Sequence, residues 1–278
     1  MTSLQDATRP VDTIALDYPV IPRPRYGWGL PAHRGVARAL EAGRDRYRSL
    51  LVDFATWFDR LRVIQVDAGP DEREPAWLNG YFPGLDTVAL YGMLGTSRPR
   101  VFMEVGSGNS TKVARRAIRD LDLPTRVISI DPQPRATIDE LCDEVIRQPL
   151  EEVDPAIVDQ LAAGDVFFLD GSHRIFTNSD VVVAFLDILP RLPAGVHVHV
   201  HDIFLPDDYG PAWNDRFYSE QYLLAAQLLG GVTSYEVEFP GWFVGNDVEL
   251  SSMLLPLWEL PHLWRVERHG CSFWLLTR

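Results

Sequence analysis

The segment Val101–Thr111, with the sequence VFMEVGSGNST, constrains the fold of this chain more than any other feature. An apolar run reaches Glu104, glycines follow at Gly106 and Gly108, and a helix-like stretch begins at Asn109. Glycine lets the backbone turn sharply and lets a ligand approach the bare main chain. A strand, a glycine turn and a helix start in this order are typical of a binding site at the carboxyl edge of a parallel sheet.

A second apolar run, Arg126–Ile130, ends in Asp131. A carboxylate at the end of the next strand can accept hydrogen bonds from the two hydroxyls of a ribose. The two elements together predict a nucleoside-binding α/β unit. A dinucleotide fingerprint requires a third glycine at the position of Thr111, which disfavours a nicotinamide oxidoreductase. The sequence also lacks the Gly-x-x-x-x-Gly-Lys-Ser/Thr pattern of a P-loop.

The pattern Glu-x-Gly-x-Gly-x-Ser at 104–110, with an acid ending the next strand, resembles the class I S-adenosylmethionine-dependent methyltransferases. Residues 165–173 (DVFFLDGSH) and 195–202 (GVHVHVHD) resemble the fourth and fifth strands of that fold. Together with 80–86 (GYFPGLD) and 272–274 (SFW), they are similar to a branch of small-molecule and sugar O-methyltransferases. The similarity covers roughly residues 75–278 and leaves the methyl acceptor unspecified.

The resemblance and the alternation of strand and helix after residue 100 predict an α/β, Rossmann-like sheet of seven mostly parallel strands with helices on both faces. The strands are expected near 101–105, 126–130, 144–148, 165–169, 196–200, 234–239 and 271–276. Apolar residues at three- and four-residue steps predict one amphipathic helix over 33–62. We therefore divide the chain into an N-terminal arm and helical cap, 1–95, and a methyltransferase domain, 96–278.

The resemblance implies S-adenosylmethionine as the cofactor. The glycine loop would frame its amino-acid end, and Asp131 would bind its ribose. The full set of residues expected to bind the cofactor is Glu104, Gly106, Ser107, Gly108, Asn109, Ser110, Asp131 and Asp170.

Three histidines, His197, His199 and His201, alternate with valines, so they share one face of a strand. Successive ones lie about 7 Å apart, too far for all three to bind one ion at about 2 Å. We therefore interpret the first two as packed residues. His201 and Asp202 lie at the carboxyl end of the strand, where Asp170 also ends its neighbour.

Asp170, His201 and Asp202 are the candidate ligands of a hard divalent ion, Mg²⁺ or Mn²⁺. In metal-dependent O-methyltransferases an acid after the fourth strand and a residue pair after the fifth hold such an ion. The histidine at position 201 departs from the commoner Asp–Asn pair. Two alternatives stay open: a magnesium site, or a metal-free site in which His201 is the base.

His173 follows Asp170 by three residues and is a second candidate for the general base, since an imidazole titrates near pH 6.5. Its alternative role is structural, within the loop. The candidate catalytic residues are thus His173, His201 and Asp202. The sequence predicts O-methylation of a small hydroxylated metabolite, of sugar or natural-product type, in secondary metabolism. The alternative is a protein that binds the cofactor without transferring methyl groups.

The composition of the chain limits the classes of partner that it can be expected to bind. The net charge of −13 argues against nucleic acid, because phosphate binding needs clustered cations. An apolar run long enough for a membrane span or a signal peptide is missing from the sequence, and the two cysteines, Cys142 and Cys271, have no metal-ligand spacing. We expect two buried free thiols in a cytoplasmic, soluble enzyme whose partner is a small-molecule acceptor. A homo-oligomer is possible through aromatic residues in the first hundred positions.

Overall fold

The computed structural model describes residues 17–278; the part of the predicted arm in residues 1–16 lies outside the described residues. Within 17–278 the chain forms one sheet of seven strands in the order β3-β2-β1-β4-β5-β7-β6. The strands are β1 Val101–Val105, β2 Arg126–Ile130, β3 Glu144–Ile146, β4 Val166–Leu169, β5 His197–Val200, β6 Tyr235–Pro240 and β7 Phe273–Thr277. Each strand overlaps its predicted position.

Ten α-helices lie in the described part of the chain. They are α1 Arg34–Glu41, α2 Arg44–Ala55, α3 Phe58–Leu61, α4 Gly84–Ser97, α5 Asn109–Asp120, α6 Asp180–Val183, α7 Glu220–Gly230, α8 Gly241–Asn246, α9 Val248–Ser252 and α10 Leu255–Trp258. A π-helical turn, Ala184–Ile188, continues α6.

Strands β1 to β5 are parallel, and β7 is inserted antiparallel between β5 and β6. Consequently the start of β7 lies at the same edge of the sheet as the carboxyl ends of the parallel strands. Two hydrophobic cores cover the two faces. One contains residues of α2, α4, α5 and α8–α10, and the other contains residues of α1, α6 and α7. The predicted α/β class with helices on both faces is confirmed.

The single helix predicted over 33–62 is wrong, because the chain breaks it into α1, α2 and α3. At the first break the hydroxyl of Tyr47 donates a hydrogen bond to the carbonyl of Leu40, 2.9 Å away. The ring crosses Gly43, where a Cβ atom would lie only 2.3 Å from the tyrosine hydroxyl. Glycine at this position therefore lets the aromatic side chain close the turn.

Helix α4 crosses the domain boundary that we placed after residue 95, and it packs against α5. Twelve of its residues are buried, so it belongs to the core beneath the sheet. The described part of the arm, 17–33, has neither helix nor strand. The boundary itself stays a prediction.

Candidate active site

The glycine loop between β1 and α5 is fixed by a close contact with the end of β4. Gly106 adopts a φ of 79°, in the left-handed region, and its amide donates to the carbonyl of Ile130 at 3.0 Å. A Cβ atom at Gly106 would lie 1.8 Å from the carbonyl oxygen of Asp170. Both the conformation and the space therefore require glycine.

Glu104 lies beneath this loop and is fully buried. Its carboxylate accepts hydrogen bonds from the hydroxyls of Ser110 and Thr111 in the first turn of α5. Burial raises the pKa of Glu104 to about 7, although these hydrogen bonds oppose the shift. These hydrogen bonds anchor the first turn of α5, and Glu104 does not line the cavity above the loop.

A cavity of about 490 Å³ opens above the glycine loop, a size typical of small-molecule sites. Seven of the eight residues predicted to bind the cofactor line it: Gly106, Ser107, Gly108, Asn109, Ser110, Asp131 and Asp170. The carboxylate of Asp131 accepts the amides of Ser107 and Gln133 at 2.8 and 2.7 Å. These bonds hold the carboxylate at the cavity wall, and each oxygen retains a further acceptor position.

Several other residues of the wall had no predicted role. Tyr81 and Phe82 lie in the segment 80–86, whose resemblance assigned no function to them, and Arg135, Arg174 and Tyr218 come from loops without a recognisable pattern.

Asp170 also belongs to a cluster of charged groups beside the cavity. The Nε2 atom of His173 lies 3.1 Å from Asp170 Oδ1 and 3.5 Å from Asp202 Oδ2. The Nδ1 atom of His173 contacts Glu220, which is fully buried at the start of α7. Thus Glu220 holds the imidazole at Nδ1, while Nε2 faces the carboxylates of Asp170 and Asp202.

The charges of this cluster set the protonation of its members. Burial alone would lower the pKa of His173, but Glu220, Asp170 and Asp202 outweigh it and raise that pKa well above the ordinary value. Burial opposes ionisation of Asp170, yet the neighbouring His201 and His173 lower its pKa. Burial raises the pKa of Glu220. Without a ligand, therefore, His173 carries a proton and Asp170 is ionised at neutral pH.

The predicted ligand set, Asp170, His201 and Asp202, is grouped differently in the structure. His173, not His201, lies with Asp170 and Asp202, whereas His201 lies behind them with Asp86 and Cys271. The reason is the direction of the side chain, since the ring of His201 stacks on Phe82 at a centroid distance of 5.2 Å.

The other two histidines of β5 are packed away from the cavity. His197 pairs with Glu238 of β6, with Nδ1 2.8 Å from Oε2. His199 is fully buried, stacks on Phe168 and lies 2.9 Å from the hydroxyl of Ser272 through Nε2. Burial and the nearby His201 lower the pKa of His199 well below the ordinary value.

Three polar residues near this edge had no predicted role: Glu220, Asp86 and Cys271. Asp86 accepts the amides of Cys271 and Ser272 at 3.0 and 2.9 Å, and the thiol of Cys271 contacts both Asp86 and Asp202. Burial and these two carboxylates raise the pKa of the Cys271 thiol well above its ordinary value. The two cysteines are free, but Cys142 is only half-buried.

The loop after β5 carries aromatic residues toward the cluster. Phe204, Tyr209, Trp213 and Tyr218 contact one another edge to face or tilted, and Tyr218 also contacts His173. The acids of this loop have structural partners. Asp208 accepts the backbone amide of Tyr26 at 3.1 Å, and Asp207 accepts the indole of Trp242 at 3.0 Å.

Comparison with known proteins agrees with this geometry. Residues 103–203 match the family model described as a methyltransferase domain. The matched segment begins in β1 and ends just after β5, so it contains the glycine loop, Asp131, Asp170, His173 and Asp202, but not Glu220. The match supports a class I methyltransferase domain in this part of the chain, and such a domain implies S-adenosylmethionine as the cofactor.

No curated protein matches the chain. Among the helices of residues 17–278, none combines the length and the apolar character needed to cross a membrane.

Proposed function

We propose that the chain is an S-adenosylmethionine-dependent O-methyltransferase that acts on a small hydroxylated metabolite, of sugar or natural-product type. The observation that carries this proposal is the position of His173. Its Nε2 atom faces Asp170, which lines the cofactor cavity, while its Nδ1 atom is fixed by Glu220. A buried, oriented imidazole beside a cofactor cavity is suited to remove a proton from a hydroxyl group.

The cofactor would lie along the glycine loop, with its ribose at Asp131. Its methyl group would point toward the Asp170 side of the cavity, where the acceptor enters. The reaction is an in-line displacement: the acceptor oxygen forms a bond to the methyl carbon as the carbon–sulfur bond breaks, and S-adenosylhomocysteine leaves. Orientation of the two reactants supplies several kcal/mol of the barrier reduction in such reactions.

In its neutral form, which the raised pKa of His173 favours only on the alkaline side of the ordinary imidazole range, the ring would take the hydroxyl proton at Nε2. Glu220 holds the Nδ1 side of the ring, which fixes the tautomer and stabilises the imidazolium that forms. The dyad supports His173, and not His201, as the base. His201 groups with Asp86 and Cys271, and its ring stacks on Phe82.

The cluster also has the chemistry of a divalent-cation site. Asp170, His173 and Asp202 offer ligand atoms that all lie within 4.8 Å of one another. In the proposed site the two aspartates bind the ion, and His173 Nε2 stays available to accept the proton. Mg²⁺ or Mn²⁺ held by the two aspartates would offset their negative charge and lower the pKa of the acceptor hydroxyl and of His173.

The aromatic residues after β5 form the proposed acceptor wall. Tyr218 lines the cavity and contacts His173, and Trp213 packs against Tyr218 with a centroid distance of 5.6 Å. Flat aromatic faces beside a base suit a ring-shaped hydroxylated acceptor. This surface supports a sugar or a polyketide-type compound as the acceptor class.

The test is to incubate the protein with S-adenosylmethionine and a panel of hydroxylated acceptors, and to follow S-adenosylhomocysteine and methylated product by mass spectrometry. His173→Gln should lose most turnover while its affinity for the cofactor stays within a few-fold. His262→Gln is the matched control, because that histidine is exposed and contacts only the carbonyl of Arg62 among its described hydrogen bonds.

Cofactor binding without product from any acceptor would favour a protein that binds S-adenosylmethionine without transfer. Methylation at nitrogen would contradict the O-methyl assignment. Treatment with EDTA followed by addition of Mg²⁺ tests the cation separately. Equal turnover before and after both steps would overturn the proposed role of the cation and would leave the proposal for the base unaffected.

A further inference from the structure

Four polar side chains meet in the protein interior behind the acidic cluster. Asp86 comes from the first turn of α4, His201 and Asp202 follow β5, and Cys271 precedes β7. Their exposed fractions are 0, 2, 8 and 3%, so all four are removed from solvent. The proposed methyl transfer uses only the face of Asp202 that points toward His173. The other three groups have no role in it.

The hydrogen bonding of His201 is incomplete. Its Nδ1 atom has no hydrogen-bond partner among the described residues. Its Nε2 atom has a weak hydrogen bond with Cys271 Sγ at 3.7 Å and lies 3.8 Å from Asp202 Oδ1, which is too long for a hydrogen bond to oxygen. A buried imidazole without a strong partner costs free energy, because its nitrogens have lost their contacts with water.

Ligand atoms of Asp86, His201 and Cys271 all lie within 4.8 Å of one another, and four of the six separations in the larger group that includes Asp202 are close to the edges of a metal-centred tetrahedron. Cys271 Sγ lies 3.3 Å from Asp86 Oδ2 and 3.3 Å from Asp202 Oδ1. A tetrahedral zinc ion with bonds of 2.3 Å to sulfur and 2.0–2.2 Å to nitrogen and oxygen separates its ligand atoms by about 3.3–3.7 Å. The four measured separations, 3.3, 3.3, 3.7 and 3.8 Å, lie close to that interval.

The donor set selects among metals. A thiolate together with an imidazole and carboxylates suits zinc, whereas magnesium and calcium prefer oxygen ligands alone. Both oxygens of Asp86 are oriented by backbone amides, from Cys271 and Ser272, which would support the carboxylate behind a metal.

We propose that Asp86, His201, Cys271 and the Oδ1 atom of Asp202 form a tetrahedral Zn²⁺ site. Four protein ligands leave no open position, so the role of the ion is structural. It would tie the start of β7 and the start of α4 to the end of β5. Binding converts the Cys271 thiol to a thiolate and releases its proton. The site is separate from the Asp170–His173 cluster, to which Asp202 presents its other oxygen.

The test uses cobalt as a spectroscopic substitute for zinc. Metal-free full-length protein is titrated with Co²⁺, and one equivalent should produce a thiolate-to-cobalt charge-transfer band together with the intense visible bands of tetrahedral cobalt. Zinc should then displace the cobalt and remove both. Cys142→Ser should keep the spectrum and Cys271→Ser should lose the charge-transfer band, since the chain has two cysteines.

Absence of a charge-transfer band in the wild-type protein would overturn the proposal, as would a band that persists in Cys271→Ser. If Cys271→Ser fails to fold, Cys142→Ser still decides, because a band there can come only from Cys271. Asp170→Asn should retain the band; its loss would show that cobalt binding at Cys271 depends on the acidic cluster and would contradict a separate site. Methyl transfer is not part of this readout, so the two proposals can fail independently.

Discussion

At the scale of single residues, the pairing of His173 with Glu220 controls the pH at which the proposed base works. The negative charge of Glu220 contributes to the raised pKa of His173, so the acid limb of the pH–rate profile should lie above pH 6.5. Glu220→Gln removes that charge while keeping an oxygen that can accept from Nδ1. The pKa of His173 should then fall, and the acid limb of kcat/KM should move to lower pH.

Glu238→Gln is the matched control, because Glu238 pairs with His197 at the other end of β5, away from the cavity. The acid limb of its pH–rate profile should lie at the same pH as that of the wild-type protein. An unchanged or upward-shifted limb in Glu220→Gln would show that another group accepts the proton.

His199 gives a prediction about stability. The side chain is fully buried against Phe168 and Trp274, so His199→Ala should lower the free energy of unfolding by about 1–3 kcal/mol at neutral pH. The folded protein keeps His199 neutral, because its pKa lies well below 6.5. The unfolded chain binds a proton as the pH falls through about 6.5, so the wild-type protein loses stability on acidification. The His199→Ala variant does not lose stability in this way, because it has no imidazole at this position.

The free energies of unfolding of the wild-type protein and His199→Ala, measured with urea at a series of pH values, should therefore differ less below pH 6.5 than at neutral pH. His262→Ala serves as the exposed control and should stay within about 0.5 kcal/mol of the wild-type protein. A gap that widens on acidification would mean that His199 is protonated in the folded state.

At the scale of elements, the two glycines of the loop between β1 and α5 differ in role: Gly106 is needed for folding, and Gly108 for binding of the cofactor. Gly106→Ala places a methyl group 1.8 Å from the carbonyl oxygen of Asp170, whereas the same atom at Gly108 meets nothing within 4 Å. We expect Gly106→Ala to lower the free energy of unfolding by about 1–3 kcal/mol or more. Gly108→Ala should keep its melting temperature and lose affinity for S-adenosylmethionine, because its methyl group would enter the cavity.

Thermal melting and isothermal titration of both variants test this division. A Gly108→Ala protein that binds the cofactor like the wild-type chain would place the ligand elsewhere in the cavity. A fully stable Gly106→Ala protein would show that β1 and β4 can separate without cost.

The sequence predicted these elements unevenly. The strands were predictable because each is a short apolar run bounded by turn residues, and the glycine loop because its pattern is specific. The break at Gly43 depends on the contact between Tyr47 and Leu40, a tertiary feature of that turn. The partnership of His173 and Glu220 joins residues 47 positions apart, and the pattern of the α7 segment does not indicate it. The sequence placed Asp202 at the correct edge but could not give the direction of the His201 ring.

At the scale of the whole molecule, ligand binding should appear as a change in global stability. A ligand at one hundred times its Kd stabilises the folded protein by about 2.7 kcal/mol. For a chain of this size, each kcal/mol raises Tm by roughly 2–4 °C. S-adenosylmethionine and S-adenosylhomocysteine should therefore raise the melting temperature by several degrees, while NAD⁺ and NADP⁺ should leave it unchanged. Stabilisation by a nicotinamide cofactor alone would contradict the assignment of the cavity.

The insertion of β7 between β5 and β6 has a consequence for the order in which the protein matures on the ribosome. Residues 273–277 are translated after the six strands that they join, and Cys271 and Ser272 carry the amides that orient Asp86. Chains emerge from the ribosome amino end first. The edge of β5 that pairs with β7 therefore stays unpaired until β7 has been synthesised. The pocket for the cofactor can form early, whereas the interior behind it is completed only when the final strand arrives.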